Sequence, residues 1–214
     1  MNMVSTVYIV DDDPAIRNYL AALAKSKGHE SLTFSTGDEF LAHIEGQSGA
    51  VIGAAVVDVK LPGMTGLELL QKLNERSVQL PVIMITGFAE VPLAVEAMRA
   101  GAVTFLEKPF EDQDLWQHIE DALAEGERLR QDQQRKSTIE TRFAELTNDE
   151  VAVMMKMLRG MPNKRIAAEL DIGLRTVELR RANVLKKMQV ESLAELVRLA
   201  MLANKMPPFD DTNP

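Results

Sequence analysis

The chain has 214 residues, 46% apolar and 26% charged, a balance that fits a folded soluble protein and a length that favours two small domains over one. It contains no cysteine, which excludes disulfides, thiolate metal sites and cysteine nucleophiles. The formal net charge of −8 is unevenly spread: residues 1–125 carry −11, residues 143–214 carry +1, and residues 156–187 hold nine Lys/Arg against three Asp/Glu. No apolar run approaches the ~20 residues that span a bilayer. The start, MNMVSTVYIVDDD, has neither a basic leader nor a cleavage pattern, so a cytoplasmic protein without membrane attachment is the expectation.

The first half alternates apolar runs with helical periodicity. Residues 4–10, 51–57, 81–85 and 102–106 read as buried strands, and 31–34 as a weaker edge strand. Between them, apolar residues recur at helical spacing: Ile16, Leu20 and Leu23; Phe40, Leu41 and Ile44; Leu67, Leu70 and Leu73; Leu93 and Ala97. Leu115, Ile119, Ala122 and Leu123 begin a fifth helix. Five strand–helix repeats predict a parallel sheet covered on both faces. Residues 125–140 are rich in Gln, Arg and Glu and read as a solvated helical linker or a short dimer helix. The rest reads as helices only. Thr147 and Glu150 have capping-box spacing before an apolar helix, then come 164–170, 174–188 and about 192–202, with a disordered tail from 206.

The strand ends carry the chemistry. Strand one ends in Asp11-Asp12-Asp13, strand three in Asp58, strand four in Thr86, and Lys108-Pro109 follows strand five. In open parallel sheets these ends share the edge where ligands bind. Clustered carboxylates repel, and a hard divalent cation such as Mg²⁺ relieves the repulsion. A hydroxyl and an ammonium beside them suit a carboxylate nucleophile that accepts a phosphoryl group. Taken singly, each residue is ordinary: Asp13 before Pro14 reads as a helix N-cap, Thr86 as a strand-end threonine, and Lys108 as a surface lysine.

The segments VDDDP (10–14), VVDVKLPGMTG (56–66), ITG (85–87) and EKPF (107–110), in this order, resemble the receiver domain of bacterial two-component response regulators. The resemblance implies a CheY-like, doubly wound α/β domain with a five-stranded parallel sheet. It implies Asp58 as phosphoacceptor, Asp11, Asp12, Asp58 and the Lys60 carbonyl as Mg²⁺ ligands, and Thr86 and Lys108 as phosphoryl contacts. It further implies a cis Lys–Pro bond and Phe105 as an aromatic switch coupled to Thr86. His29, His43 and His118 lack metal spacing and are read as ordinary residues.

In the second half a basic face coincides with a helical hairpin. Ile166, Ala167 and Leu170 share one face; Val177, Val184, Leu185 and Met188 can pack inward, leaving Arg175, Arg180, Arg181, Lys186 and Lys187 outside. On spacing alone this is a weak sign of DNA binding, since many helical hairpins are basic. Residues 146–200, with Leu146-Thr147, Gly160, Asn163-Lys164, Arg175-Thr176-Val177-Glu178 and Lys187-Met188, resemble the LuxR-type DNA-binding domain, an all-α four-helix helix-turn-helix unit. The whole chain is similar to the NarL/FixJ group, and to FixJ-like regulators most of all. Lys164, Thr176 and Arg181 become candidate phosphate contacts, and Arg175, Glu178, Leu179 and Ala182 candidate groove-facing positions. Pairing of Glu178 with Arg175 or Arg181 on the helix surface is the competing reading. Gly173, Arg180 and Asn148-Asp149 depart from the family pattern.

These readings divide the chain into a receiver (1–125), a linker (126–142), a DNA-binding domain (143–205) and a tail (206–214). The implied partners are a sensor histidine kinase, double-stranded promoter DNA, RNA polymerase and a second copy of the chain when phosphorylated. The resulting expectation is a transcription regulator, not an enzyme. A carboxylate-dependent hydrolase and a regulator switched by protein contact without phosphate are the alternatives.

Overall fold

The computed structural model describes residues 5–47 and 51–208; the expected tail falls outside the described residues from 209 onward. The chain divides into two compact units, residues 1–131 and 132–214.

The first unit is a five-stranded parallel sheet: β1 (Thr6–Val10), β2 (Glu30–Phe34), β3 (Gly53–Asp58), β4 (Val82–Thr86) and β5 (Thr104–Glu107), in the order β2-β1-β3-β4-β5. Helices α1 (Pro14–Ser26), α2 (Gly37–Glu45), α3 (Gly66–Glu75) and α4 (Val91–Arg99) connect them, and α5 (Asp112–Ala144) follows. The period of two divides the strand residues between two cores. Tyr8, Val10, Ala55, Val57 and Met84 face Phe40, Leu69 and Leu73 from α2 and α3. Val7, Ile9, Val56, Ile83 and Ile85 face Leu20, Leu115 and Ile119 from α1 and α5. All six residues of β3 are buried, as a central strand requires. β2 lies at the edge and is the most open strand, in line with its weak sequence signal.

Local chemistry sets the helix ends. Asp13 caps α1, its carboxylate accepting from Ala15 N, with Pro14 in the first turn. Thr65 and Glu68 form a capping box on α3. The predicted linker is helical and is continuous with α5, a single helix of 33 residues. Gly126 lies so close to Gly53 that an added Cβ would come within 2.4 Å of its carbonyl oxygen, so α5 still packs on the sheet there.

The second unit holds α6 (Asn148–Leu158), α7 (Asn163–Glu169), α8 (Leu174–Met188) and α9 (Leu193–Leu202). Thr147 and Glu150 form the predicted capping box. Val153, Met154, Met157, Ile166, Val177, Val184, Met188 and Leu196 make one core, so three of its methionines are filler. Gly173 precedes α8 in extended conformation, and no side chain caps that helix.

Candidate functional site

The strand order reverses between β1 and β3, and loops diverge there at the carboxyl edge of the sheet. Asp11 follows β1 and is 1% exposed; Asp58 ends β3 and is 6% exposed. Lys108, just after β5, reaches across to both: its Nζ lies 2.7 Å from Asp11 Oδ2 and 2.7 Å from Asp58 Oδ1. Each carboxylate is also fixed by its own turn, since Asp13 N donates to Asp11 Oδ1 (2.9 Å) and Lys60 N donates to Asp58 Oδ2 (2.6 Å). Burial pushes the Asp58 carboxyl above its ordinary value, and the Lys108 ammonium offsets this only in part. Burial also disfavours the Lys108 charge, but its bonds to Asp11 and Asp58 outweigh that and hold its pKa above the usual value.

Of the residues singled out in the sequence, the structure joins Asp11, Asp58 and Lys108 directly. Asp12 is exposed beside them. Thr86 is 1% exposed at the end of β4, but its hydroxyl is engaged in its own turn: it accepts from Phe88 N (3.2 Å) and donates to Phe88 O (3.3 Å). Phe105 is half-buried against the α2/α3-side core, opposite Met84 in the β4–β5 register. The Lys108–Pro109 bond is cis.

Two buried carboxylates share one ammonium, and Asp12 adds a third acid. That excess of negative charge, with only oxygen donors, fits a hard divalent cation. Among the described residues no three His, Cys, Asp or Glu side chains are close enough together to form a ready-made cage. Asp11, Asp12 and Asp58 therefore do not form a closed site by themselves, and an ion held there would keep several of its waters, as Mg²⁺ does.

Some supporting residues escaped the sequence reading. Arg17 Nη1 donates to the Asp11 carbonyl at 2.7 Å and pins the acidic turn. Its only sequence signal is its place in the first turns of α1, four residues after the capping Asp13. The Lys60 ammonium lies 4.3 Å from the Phe88 ring centroid. Glu107 accepts from Ala89 N at 3.3 Å, tying the β4–α4 loop to β5. The Lys60–Phe88 and Ala89–Glu107 contacts have no local pattern, because each joins separate segments.

In the second unit, Arg175, Glu178, Leu179, Ala182 and Lys186 form one exposed stripe of α8, with Leu179 62% exposed. Thr176 and Arg181 flank it half-buried, and Lys164 is exposed on α7. Glu178 makes no ion pair with Arg175 or Arg181 among the described residues. Two of the five α8 bases are not free outward charges, contrary to expectation. Arg180 Nη2 contacts Asp149 Oδ2, while Lys187 Nζ lies 2.7 Å from Glu150 Oε2 and donates to Glu145 O (3.1 Å). The helical period turns positions 180 and 187 toward α6, so its first-turn acids take them up.

Comparison with known proteins agrees with this geometry. The response regulator receiver domain family matches residues 7–120, and the bacterial regulatory proteins of the luxR family match residues 144–200. The transcriptional regulatory protein FixJ of Bradyrhizobium diazoefficiens is 44% identical over 200 residues, covering 94% of this chain and 96% of that protein. FixJ of Azorhizobium caulinodans is 41% identical, covering 97% of each chain. Among solved structures, the response regulator StyR matches with a TM-score of 0.82 at 39% identity, covering 93% of this chain and 99% of that one. Full-length FixJ from B. japonicum matches at 43% identity with a TM-score of 0.56, covering 95% and 98%. The chain therefore belongs to the DNA-binding response regulators of two-component systems, with a receiver domain followed by a LuxR-type domain. This is a family of transcriptional regulators, which sets the hydrolase alternative aside. No helix among the described residues is long and apolar enough to cross a membrane.

Proposed function

We propose that Asp58 accepts a phosphoryl group from a sensor histidine kinase and that this controls binding of duplex promoter DNA by the LuxR-type domain. The observation that supports it best is the Lys108 ammonium bridging Asp11 and Asp58 at the sheet's switch point. A carboxylate oxygen of Asp58 attacks the phosphorus of phosphohistidine; the P–N bond breaks, its electrons return to the imidazole, and an acyl phosphate remains. The Lys60 amide and the Lys108 ammonium orient the two Asp58 oxygens, and Lys108 then faces the new phosphoryl oxygens. Asp11, Asp12, Asp58 and the Lys60 carbonyl would hold Mg²⁺, which would supply charge shielding for the transfer. Slow hydrolysis of the acyl phosphate would return the protein to its resting state.

Thr86 is the element that can answer the modification. Its hydroxyl leaves the Phe88 turn for a phosphoryl oxygen, and Phe105 moves with it. The shift biases two pre-existing states through contacts that differ between them. The favoured state pairs two copies of the chain. In each, Arg175, Glu178, Leu179 and Ala182 face base edges while Lys164, Thr176 and Arg181 hold phosphates. Recruitment of RNA polymerase in the cytoplasm completes the reading. The functional division runs as receiver 1–125, helical linker 126–142 and DNA-binding domain 143–205.

The test is fluorescence anisotropy on a promoter fragment, with and without a small phosphodonor plus Mg²⁺. Affinity should rise with the donor in the wild type and not in Asp58→Asn, and log K should fall linearly with log salt. Salt-dependent binding that ignores the donor would leave DNA binding in place and transfer control of the switch to protein contact.

A further inference from the structure

Eight of the nine bases of residues 156–187 fall into two groups. Lys164, Arg175, Arg181 and Lys186 make no ion pair among the described residues. Lys156 and Arg165 are taken up by Glu169, Arg180 by Asp149, and Lys187 by Glu150. On α8 the two kinds also lie on different faces. Arg175 and Lys186 lie on the exposed stripe of α8, whereas Arg180 and Lys187 lie on the flank that meets α6.

The two α6–α8 pairs differ in how firmly they are held. Glu150 is 5% exposed and also completes the capping box of α6, accepting from Thr147 N at 2.9 Å. Releasing Lys187 would leave that carboxylate buried with one partner fewer, so this pair is structural. Asp149 is different. Its side chain is 67% exposed, among the described residues it accepts no side-chain hydrogen bond apart from that of Arg180, and Arg180 itself keeps 24% of its side chain in solvent. A solvent-exposed ion pair is weakly held and screened by salt. A guanidinium also binds phosphate as readily as carboxylate, with the same fork of donors. A helix lying in the major groove has phosphate backbone on both sides, so a long cation on its flank is well placed to reach one.

We propose that Asp149 limits the affinity of this protein for DNA by holding Arg180, so that the Asp149 carboxylate and a DNA phosphate compete for one guanidinium. Asp149 is a positioning residue in this scheme: it acts through Arg180 and makes no DNA contact. It lowers the number of phosphates neutralised by one and thereby reduces sequence-independent binding, which is the part of affinity that phosphate contacts dominate. The inference rests on the DNA-binding reading above.

The experiment measures anisotropy of a short fluorescein-labelled duplex of random sequence with the full-length protein, between roughly 50 and 200 mM salt. Asp149→Asn should bind several-fold tighter at the low end, with a slope of log K against log salt steeper by about 0.9, the value of one added phosphate contact. Arg180→Gln should change the wild-type slope by less than Asp149→Asn does, because the carboxylate keeps the guanidinium off the DNA for most of the bound population. Asp149→Asn combined with Arg180→Gln should behave as Arg180→Gln alone. Thermal unfolding by circular dichroism should change little in any of the three. An unchanged slope in Asp149→Asn overturns the proposal, as does a gain that persists without Arg180, which would mark a diffuse charge effect. A slope in Arg180→Gln shallower than the wild type by a full contact, about 0.9, also overturns it, since Arg180 would then already be on the DNA. Failure of the wild type to bind duplex DNA at low salt would remove the DNA-binding reading itself, and this proposal with it.

Discussion

Asp58 is buried where a carboxylate is least at ease, and its position is held against that cost by Lys108 and the Lys60 amide. Because burial leaves its folded pKa above the ordinary 3.8, the folded state binds its proton more tightly than the unfolded state does. Ionised Asp58 therefore destabilises the fold. The penalty is absent below pH 3.8 and complete above the raised folded value. Asp58→Asn should thus unfold at a higher temperature than the wild type at neutral pH in metal-free buffer. The difference should shrink on acidification toward pH 3.8. Thermal melts at neutral and acid pH check the sign: equal or lower stability of the variant at neutral pH would mean that the Lys108 bridge fully compensates. The same reasoning explains what the sequence could show of this site. The residue types and their strand-end placement were legible; the bridging of Asp11 and Asp58 by one ammonium was not, since it depends on the order in which the strands pair.

The turn from β3 into α3 shows how an element positions this residue. Gly66 opens α3 directly behind Asp58: a Cβ there would sit 2.2 Å from the Asp58 carbonyl oxygen, a backbone atom that cannot swing aside. Replacement by Ala gains at most ~1 kcal/mol in helix propensity. Overpacking against fixed backbone costs about 1–3 kcal/mol. Gly66→Ala should therefore be destabilised by about 1–2 kcal/mol in urea unfolding. It should also accept phosphate more slowly, because the strain falls on Asp58 itself; a variant as stable as the wild type would show that α3 tilts freely. Element existence was well marked by periodicity, and residues 174–188 match α8 end for end. Boundaries that depend on a partner were less legible. The apolar run 51–57 reads as one strand, yet β3 begins at Gly53, where φ is +139° and an added Cβ would meet Thr6 O at 1.9 Å. The approach of β1 selects the glycine, and the apolar run does not show it. The solvated stretch after 125 is helical as expected, supported by Glu125–Arg128 and Glu127–Arg130 ion pairs three residues apart.

At the scale of the molecule, each unit closes its own hydrophobic core, two layers about the sheet in one and a single helical core in the other. Independent cores should unfold as separate cooperative units. Scanning calorimetry should therefore give a calorimetric enthalpy larger than the van't Hoff value, and Asp58→Asn should shift only the transition of the first unit. A single two-state transition would show that the units unfold as one. The charge division matches this arrangement, with the acid concentrated in the receiver and a basic block left in the DNA-binding unit. The sequence by itself determined the two units, the strand and helix alternation, the acidic strand ends and the basic helix, because each is written in local periodicity or in short motifs. The tertiary structure alone decided which charges are spent within the fold. Lys108 goes to Asp11 and Asp58, Arg180 to Asp149, and Lys187 to Glu150, while Arg175 and Lys186 stay exposed. An ion pair between segments 30 to 100 residues apart leaves no local pattern. Its existence depends on the distance that packing leaves between two side chains, and that distance is fixed only when the elements meet.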